Sequence, residues 1–234
     1  MSNPFAMTIL GDFVELFFPR YCLACQDSLV KGEEWICTRC QLEMPRSNYH
    51  LERENPFYNK FRGRIPLRYV MALFKFVKES RVQHLLHALK YNNKPEVGRM
   101  LGNVYGQDLL QGNYKNEFDL IIPVPLHRSR KKRRGYNQSD EFGKGIAEIL
   151  KIPCFDSFIE RTLKTETQTR KSKLDRWQNV NEVFSAVKPR EIENKRILLI
   201  DDVVTTGATI EACGQVLLNA GCAELSIACI AATQ

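Results

Sequence analysis

The sequence predicts an α/β protein, a parallel sheet flanked by helices, with a small cysteine-paired module ahead of it. Three observations lead there. Two apolar runs, Ile197 to Ile200 and Phe118 to Val124 (broken only by Asp119), read as strands buried on both faces, as in parallel sheets. Other segments carry apolar residues at the i, i+3, i+4, i+7 spacing of an amphipathic helix, clearest at Val82, Leu85, Leu86 and Leu89. Four cysteines form two close pairs, Cys22-x2-Cys25 and Cys37-x2-Cys40.

A chain of 234 residues holds one large domain, or one domain with a small appendage. Its 44% hydrophobic and 26% charged content is ordinary for a globular protein. No apolar run approaches the ~20 residues of a membrane span. The first residues lack a basic region, and Asp12 and Glu15 interrupt their apolar set, so no signal peptide and a cytoplasmic setting are expected. A net charge of +7 points to an anionic partner, a phosphorylated metabolite or a nucleic acid.

Taken in order, Ile9, Leu10, Phe13, Leu16 and Phe17 share one helical face, and Pro19 ends that helix. In a cytoplasmic protein the two CxxC pairs read as metal ligands, not disulfides. Cys22, Cys25, Cys37 and Cys40 supply four thiolates to one tetrahedral ion. Zn²⁺ is the natural occupant and iron the alternative; four thiolates leave no open position, so the site is structural. Residues 1–45 form this module and 46–66, with prolines and many polar groups, a linker; 67–234 form the main domain.

Residues 68–77 read as a strand and 81–91 as a helix, with His84 and His87 in surface or packing roles. Pro95 opens a second helix, to about Leu110, whose Gly98, Gly102 and Gly106 suit close packing against a sheet. After the Phe118 strand, Pro123 and Pro125 lead into LHRSRKKRRGYNQS, a basic loop before a helix beginning near Ser139. The polar stretch 161–181 has the make-up of an active-site lid. Leu225 to Ala231 form a last strand. Cys154, Cys213, Cys222 and Cys229 are read as buried small hydrophobes.

The decisive stretch is Ile197 to Thr209, ILLIDDVVTTGAT. Ligands of open α/β sheets bind at the carboxyl ends of strands. There the sequence sets Asp201 and Asp202, then Thr205, Thr206, Gly207 and Thr209 where a helix begins. Backbone N–H groups, hydroxyls and a helix dipole favour a phosphate, and glycine lets the backbone approach it. The aspartates repel a phosphate and suit hydroxyls or a hydrated cation beside it. A phosphate, a diol and Mg²⁺ together describe a ribose 5-phosphate. These thirteen residues also match, position by position, the phosphoribosyl pyrophosphate (PRPP) signature of type I phosphoribosyltransferases.

Several separated motifs together resemble the ComF family of competence-associated, amidophosphoribosyltransferase-like proteins. They are the cysteine module after FFPRYC, LLHALKY at 85–91, IIPVPLHRSRKKRRGYNQS at 121–139, the spaced Arg161, Gln168, Leu174, Arg176 and Asn179, and the PRPP signature. The resemblance implies a type I phosphoribosyltransferase fold with a small N-terminal zinc module. It also implies that Asp201 and Asp202 hold the ribose hydroxyls of PRPP, while Val203, Val204, Thr205, Thr206, Gly207, Ala208 and Thr209 wrap its 5-phosphate. Pyrophosphate and Mg²⁺ would lie near Leu126 to Asn137, with Arg128, Arg134 and Asn137 as contacts. The implied activity is transfer of phosphoribosyl from PRPP to an acceptor with release of pyrophosphate. A non-catalytic PRPP-sensing adaptor that binds single-stranded DNA or a DNA-uptake motor is the alternative. No covalent nucleophile is evident, and no C-terminal hood follows the last strand to build an acceptor pocket.

Overall fold

The computed structural model describes residues 18–161 and 184–233. Two expectations, the 8–18 helix and the 161–181 lid, therefore lie almost entirely outside the described residues. Six strands are described: β1 (Val70–Lys75), β2 (Leu120–Pro123), β3 (Ile159–Arg161), β4 (Phe184–Ala186), β5 (Arg196–Val204) and β6 (Glu224–Ala232). Four form one sheet in the order β1-β6-β5-β2, and every neighbouring pair is parallel. The short β3 and β4 pair antiparallel with each other, an addition the sequence pattern did not signal.

Alternation along the central strand β5 sorts its side chains to two faces. Leu198 and Ile200 join one apolar cluster with Leu85, Leu89, Tyr105 and Phe142, from helices Arg81–Tyr91, Pro95–Gln111 and Gln138–Leu150. Ile197 and Leu199 join the other, with Ile210, Cys213 and Leu217 of helix Ala208–Asn219. Cys213 and Cys229 are fully buried in this second cluster, as small hydrophobes.

Two packing expectations change. Gly98, Gly102 and Gly106 face a helix, not a sheet. A Cβ at Gly106 would lie 2.8 Å from Ile149 Cβ, and one at Gly145 would lie 2.7 Å from Gly102 Cα. Reciprocal glycines let the two backbones touch. The 46–66 stretch, expected as a linker, is folded onto the second face of the sheet. Tyr49, Phe57, Phe61 and Ile65 are buried there. Asn55, 1% exposed, donates to the carbonyls of Tyr49, Glu52 and Val70 and accepts from Tyr58 N–H at 2.9 Å. With both amide N–H donors and the amide oxygen engaged, an asparagine is tolerated in the core. Prolines and surface charges concealed the four apolar anchors.

The cysteine module docks on the first face. Cys22, Ala24, Ile36 and Cys40 belong to the same cluster as the Arg81–Tyr91 helix. Arg81 pairs with Glu43 at 2.6 Å, His84 Nδ1 lies 3.2 Å from Ala24 O, and Lys94 covers the Trp35 ring. His84 thus has the packing role expected of it. No helix among the described residues is long and apolar enough to cross a membrane.

Candidate functional site

Strand β5 does not end at Ile200. It pairs with β6 as far as Val204, opposite Ala232, so Asp201 and Asp202 lie within the strand. Its other neighbour β2 stops earlier: Pro123 is opposite Ile200, and Val124 N–H closes the last bond to Ile200 O. Past that point β5 has no strand partner on one side among the described residues, and a cleft of about 290 Å³ opens there. Asp201, Asp202, Thr205 and Thr209 line one wall; Arg130, Arg134 and Ser139 line the other. Lys90 and Arg161 add two further cations.

The aspartates are partly buried. Asp201 Oδ1 accepts from Asp202 N–H at 2.8 Å and from Ser139 Oγ at 3.2 Å. Asp202 accepts from Val203 N–H at 2.6 Å and pairs with Lys90 Nζ at 3.0 Å. Burial, then the neighbouring charge of Asp202, push the Asp201 carboxyl up to about 7. The pair is therefore poised to lose a proton when hydroxyl donors or a cation meet it.

After Val204 the chain turns through Thr205, Thr206 and Gly207. Gly207 has φ +82° and caps helix Ala208–Asn219, whose first turn carries Thr209. The Thr205, Thr206 and Thr209 side chains face solvent, while Val204 is buried and Val203 partly so. The N–H groups of Thr205, Thr206 and Gly207 donate to no acceptor among the described residues. Successive unpaired amides at a helix start make an anion-binding concavity.

The basic stretch is a helix, Arg128–Arg134, and not the loop expected of it, ended by Gly135 at φ +79°. Helical spacing separates its cations. Arg130 and Arg134 line the cleft, whereas Arg128 does not. Arg134 stacks on Tyr91 and donates to Gln138 Oε1 at 2.9 Å. Arg134 Nε and Gln138 Nε2 are both buried with no hydrogen-bond partner among the described residues. Gln138 is 1% exposed and lines the cleft. Asn137, expected as a ligand contact, lines the cleft and also makes two local bonds. Its side chain donates to Val124 O at 3.0 Å and accepts from Ser139 N–H, capping helix Gln138–Leu150.

Sequence reasoning thus missed Lys90, Arg130, Gln138 and Ser139. Lys90 and Ser139 each lie inside a stretch matched to the ComF family, LLHALKY and GYNQS, which was the available signal.

In the cysteine module, the sulfurs of Cys22, Cys25, Cys37 and Cys40 all lie within 4.8 Å of one another. The Cys25–Cys37 separation, 3.7 Å, is close to the ~3.8 Å edge of a tetrahedron with ~2.3 Å metal–sulfur bonds. Backbone N–H groups of Ala24 and Cys37 point at Cys22 Sγ, at 3.4 and 3.3 Å, which favours a thiolate. These four residues could hold one metal ion.

The model of the phosphoribosyl transferase domain matches residues 112–234, which include both walls of the cleft apart from Lys90. The chain belongs to the phosphoribosyl transferase domain family. Similarity to competence-type proteins runs beyond that domain. Competence protein F of Haemophilus influenzae is 29% identical over 90% of this chain and 96% of its own length. The DNA utilization protein YhgH of Escherichia coli K12 is 26% identical over 93% of this chain and 99% of its own. The chain is thus a ComF/YhgH-type member of the family. Among solved structures, the allosteric regulatory enzyme of purine biosynthesis aligns with a TM-score of 0.44 at 24% identity, over 62% of this chain and 30% of that one.

Proposed function

We propose that the cleft binds PRPP with Mg²⁺ and that the protein transfers its phosphoribosyl group to an acceptor, in the service of DNA uptake or use. One observation carries the reading: a paired carboxylate, an unpaired amide loop and two unmatched buried donors, Arg134 Nε and Gln138 Nε2, converge on a single cleft. PRPP offers a match to each. Its ribose hydroxyls suit Asp201 and Asp202, its 5-phosphate suits Thr205 to Thr209, and its pyrophosphate suits Arg130, Arg134 and Lys90. The carboxylate pair beside a polyanion site also fits Mg²⁺, a hard cation. When bound, Mg²⁺ would supply charge neutralisation on the pyrophosphate.

In the transfer, the bond from ribose C1 to the pyrophosphate oxygen breaks and a bond from C1 to the acceptor nucleophile forms. The acceptor's proton leaves to solvent. Arg130, Arg134 and Lys90 hold the charge that builds on the departing pyrophosphate. Asp201 and Asp202 fix the ribose and favour its developing positive charge. The four cysteines hold Zn²⁺ in a structural role, keeping the N-terminal module against the Arg81–Tyr91 helix.

The names of the relatives support a link to competence and DNA utilization. A second hollow favours single-stranded DNA as a partner: Tyr91, 55% exposed, stands among Lys90, Lys132 and Arg133. An aromatic face among cations suits stacked bases and a phosphate backbone. This would serve a DNA-binding adaptor that engages an uptake motor as well as an enzyme.

Calorimetry with Mg²⁺ and PRPP tests the site. The Asp201→Ala/Asp202→Ala protein should lose at least about 100-fold in affinity, since two charge-assisted contacts vanish. Equal heats in both proteins would reject it. Pyrophosphate release in cell extract, above that of the double variant, separates transfer from binding alone.

A further inference from the structure

Two cations stand behind the amide loop, and both come from the stretch that reads as linker. Lys60 Nζ donates to Thr205 O at 2.7 Å, and to Thr233 O and Thr233 Oγ1, each at 2.8 Å. Arg64 donates to Thr206 O at 3.0 Å, and its other terminal nitrogen pairs with Glu211. Between them the Phe61 ring fills the space beneath Gly207, where an added Cβ would lie 2.6 Å from a ring carbon.

The connectivity gives these contacts a consequence. The carbonyl of Thr205 and the N–H of Thr206 belong to one peptide group; so do the carbonyl of Thr206 and the N–H of Gly207. In a trans peptide the two ends point in opposite directions. A cation on the oxygen draws charge toward it and makes the N–H at the far end a stronger donor. The two N–H groups so strengthened are among those left without an acceptor in the described residues.

Lys60 also differs from other partly buried cations of the molecule. Arg46, Arg68 and Arg196 each meet a carboxylate. Lys60 meets only neutral oxygens among the described residues, so its charge is not cancelled. Arg64 shares its charge with Glu211. Holding an uncancelled ammonium half out of water is costly, and an anion in the loop would offset that cost.

We infer that Lys60 and Arg64 are positioning residues that charge the amide loop from behind and raise its affinity for a phosphate monoester. The inference rests on the assignment of that loop to the 5-phosphate of PRPP. It also gives 60–64 a task beyond packing: the stretch that follows the cysteine module grips the part of the site that recognises phosphate.

Ribose 5-phosphate and Mg²⁺-pyrophosphate, titrated separately by calorimetry, probe the two halves of the cleft. Lys60→Met should weaken ribose 5-phosphate about tenfold, the scale of one lost charge-assisted contact. It should leave Mg²⁺-pyrophosphate within about twofold, and Lys60→Arg should restore ribose 5-phosphate to within about threefold. Arg64→Met should have the smaller effect, because Glu211 already shares its charge. Ribose 5-phosphate bound equally by wild type and Lys60→Met would overturn the inference and leave the PRPP assignment intact. Equal loss of both probes, or no rescue by arginine, would show that Lys60 acts through folding or shape and would overturn it too. If wild type itself bound no ribose 5-phosphate, the assignment of the loop would fall, and this inference with it.

Discussion

The four-cysteine knot and the Asp201–Asp202 pair both crowd acidic groups together, and they differ in what meets the charge. The sulfurs lie within 4.8 Å of one another in a shell with Cys22 and Cys40 nearly inaccessible. A tetrahedral ion there would be enclosed, and its binding energy would become folding energy. The aspartates face an open cleft. Among the described residues, their one ion-pair partner is Lys90, 3.0 Å from Asp202, and Asp201 accepts from Ser139 and a backbone N–H. An enclosed cluster spends its charge on holding the fold. An open one leaves charge unmet, weakening the empty protein and giving a ligand something to gain.

The largest expected effect tests the closed cluster. Chelation, or Cys40→Ser, should unfold the module, because a structural zinc supplies on the order of 10 kcal/mol to a domain too small to bury its own core. Amide hydrogen exchange should show protection lost in residues 20–45 and retained in β5 and β6. Retention of protection in the module after complete metal removal would break the contrast.

An intermediate effect with the opposite sign is expected at the open cluster. The Asp201 carboxyl titrates near 7, above its ordinary 3.8, so the folded protein binds that proton more tightly than the unfolded chain does. Its contribution to stability is full below the ordinary carboxylate range and is lost as pH rises through about 7. Asp201→Asn should therefore stabilise the ligand-free protein at pH 8 by about 1–3 kcal/mol while removing PRPP binding. Urea unfolding across pH measures this; a destabilised Asp201→Asn at pH 8 would mean the pair is already neutralised.

The smallest effect sharpens the contrast along the facing helix. Arg134, which lines the cleft, should cost roughly tenfold in Mg²⁺-pyrophosphate affinity on replacement by alanine. Arg128, exposed and off the cleft, should cost less than about twofold. Equal losses would indicate a diffuse field of charge in place of placed donors.

Legibility in the sequence followed the range of the interactions involved. Strand β5, the Arg81–Tyr91 helix and the Cys22, Cys25, Cys37 and Cys40 set were readable because periodicity and ligand spacing are local properties. The surroundings of Arg128 and Asn137 were not readable for another reason. Being basic or polar near a strand end does not say which way a side chain points once a helix forms. Asn137 caps its own helix while lining the cleft, and Arg128 is not among the residues that line it. The 46–66 stretch hid its role because its apolar anchors sit singly among prolines and charged residues.

By itself, the sequence determined the α/β class, the metal-ligand set and the order of acid, hydroxyl and glycine along Asp201 to Thr209, since each is written in neighbouring residues. Only the tertiary structure decided which distant groups complete the site. Lys60 and Arg64 lie more than 140 positions from the loop they touch, and Lys90 comes to Asp202 from another helix. Such contacts depend on how helices pack across a sheet, and on β2 stopping at Pro123 to open one flank of β5. No local pattern carries that information.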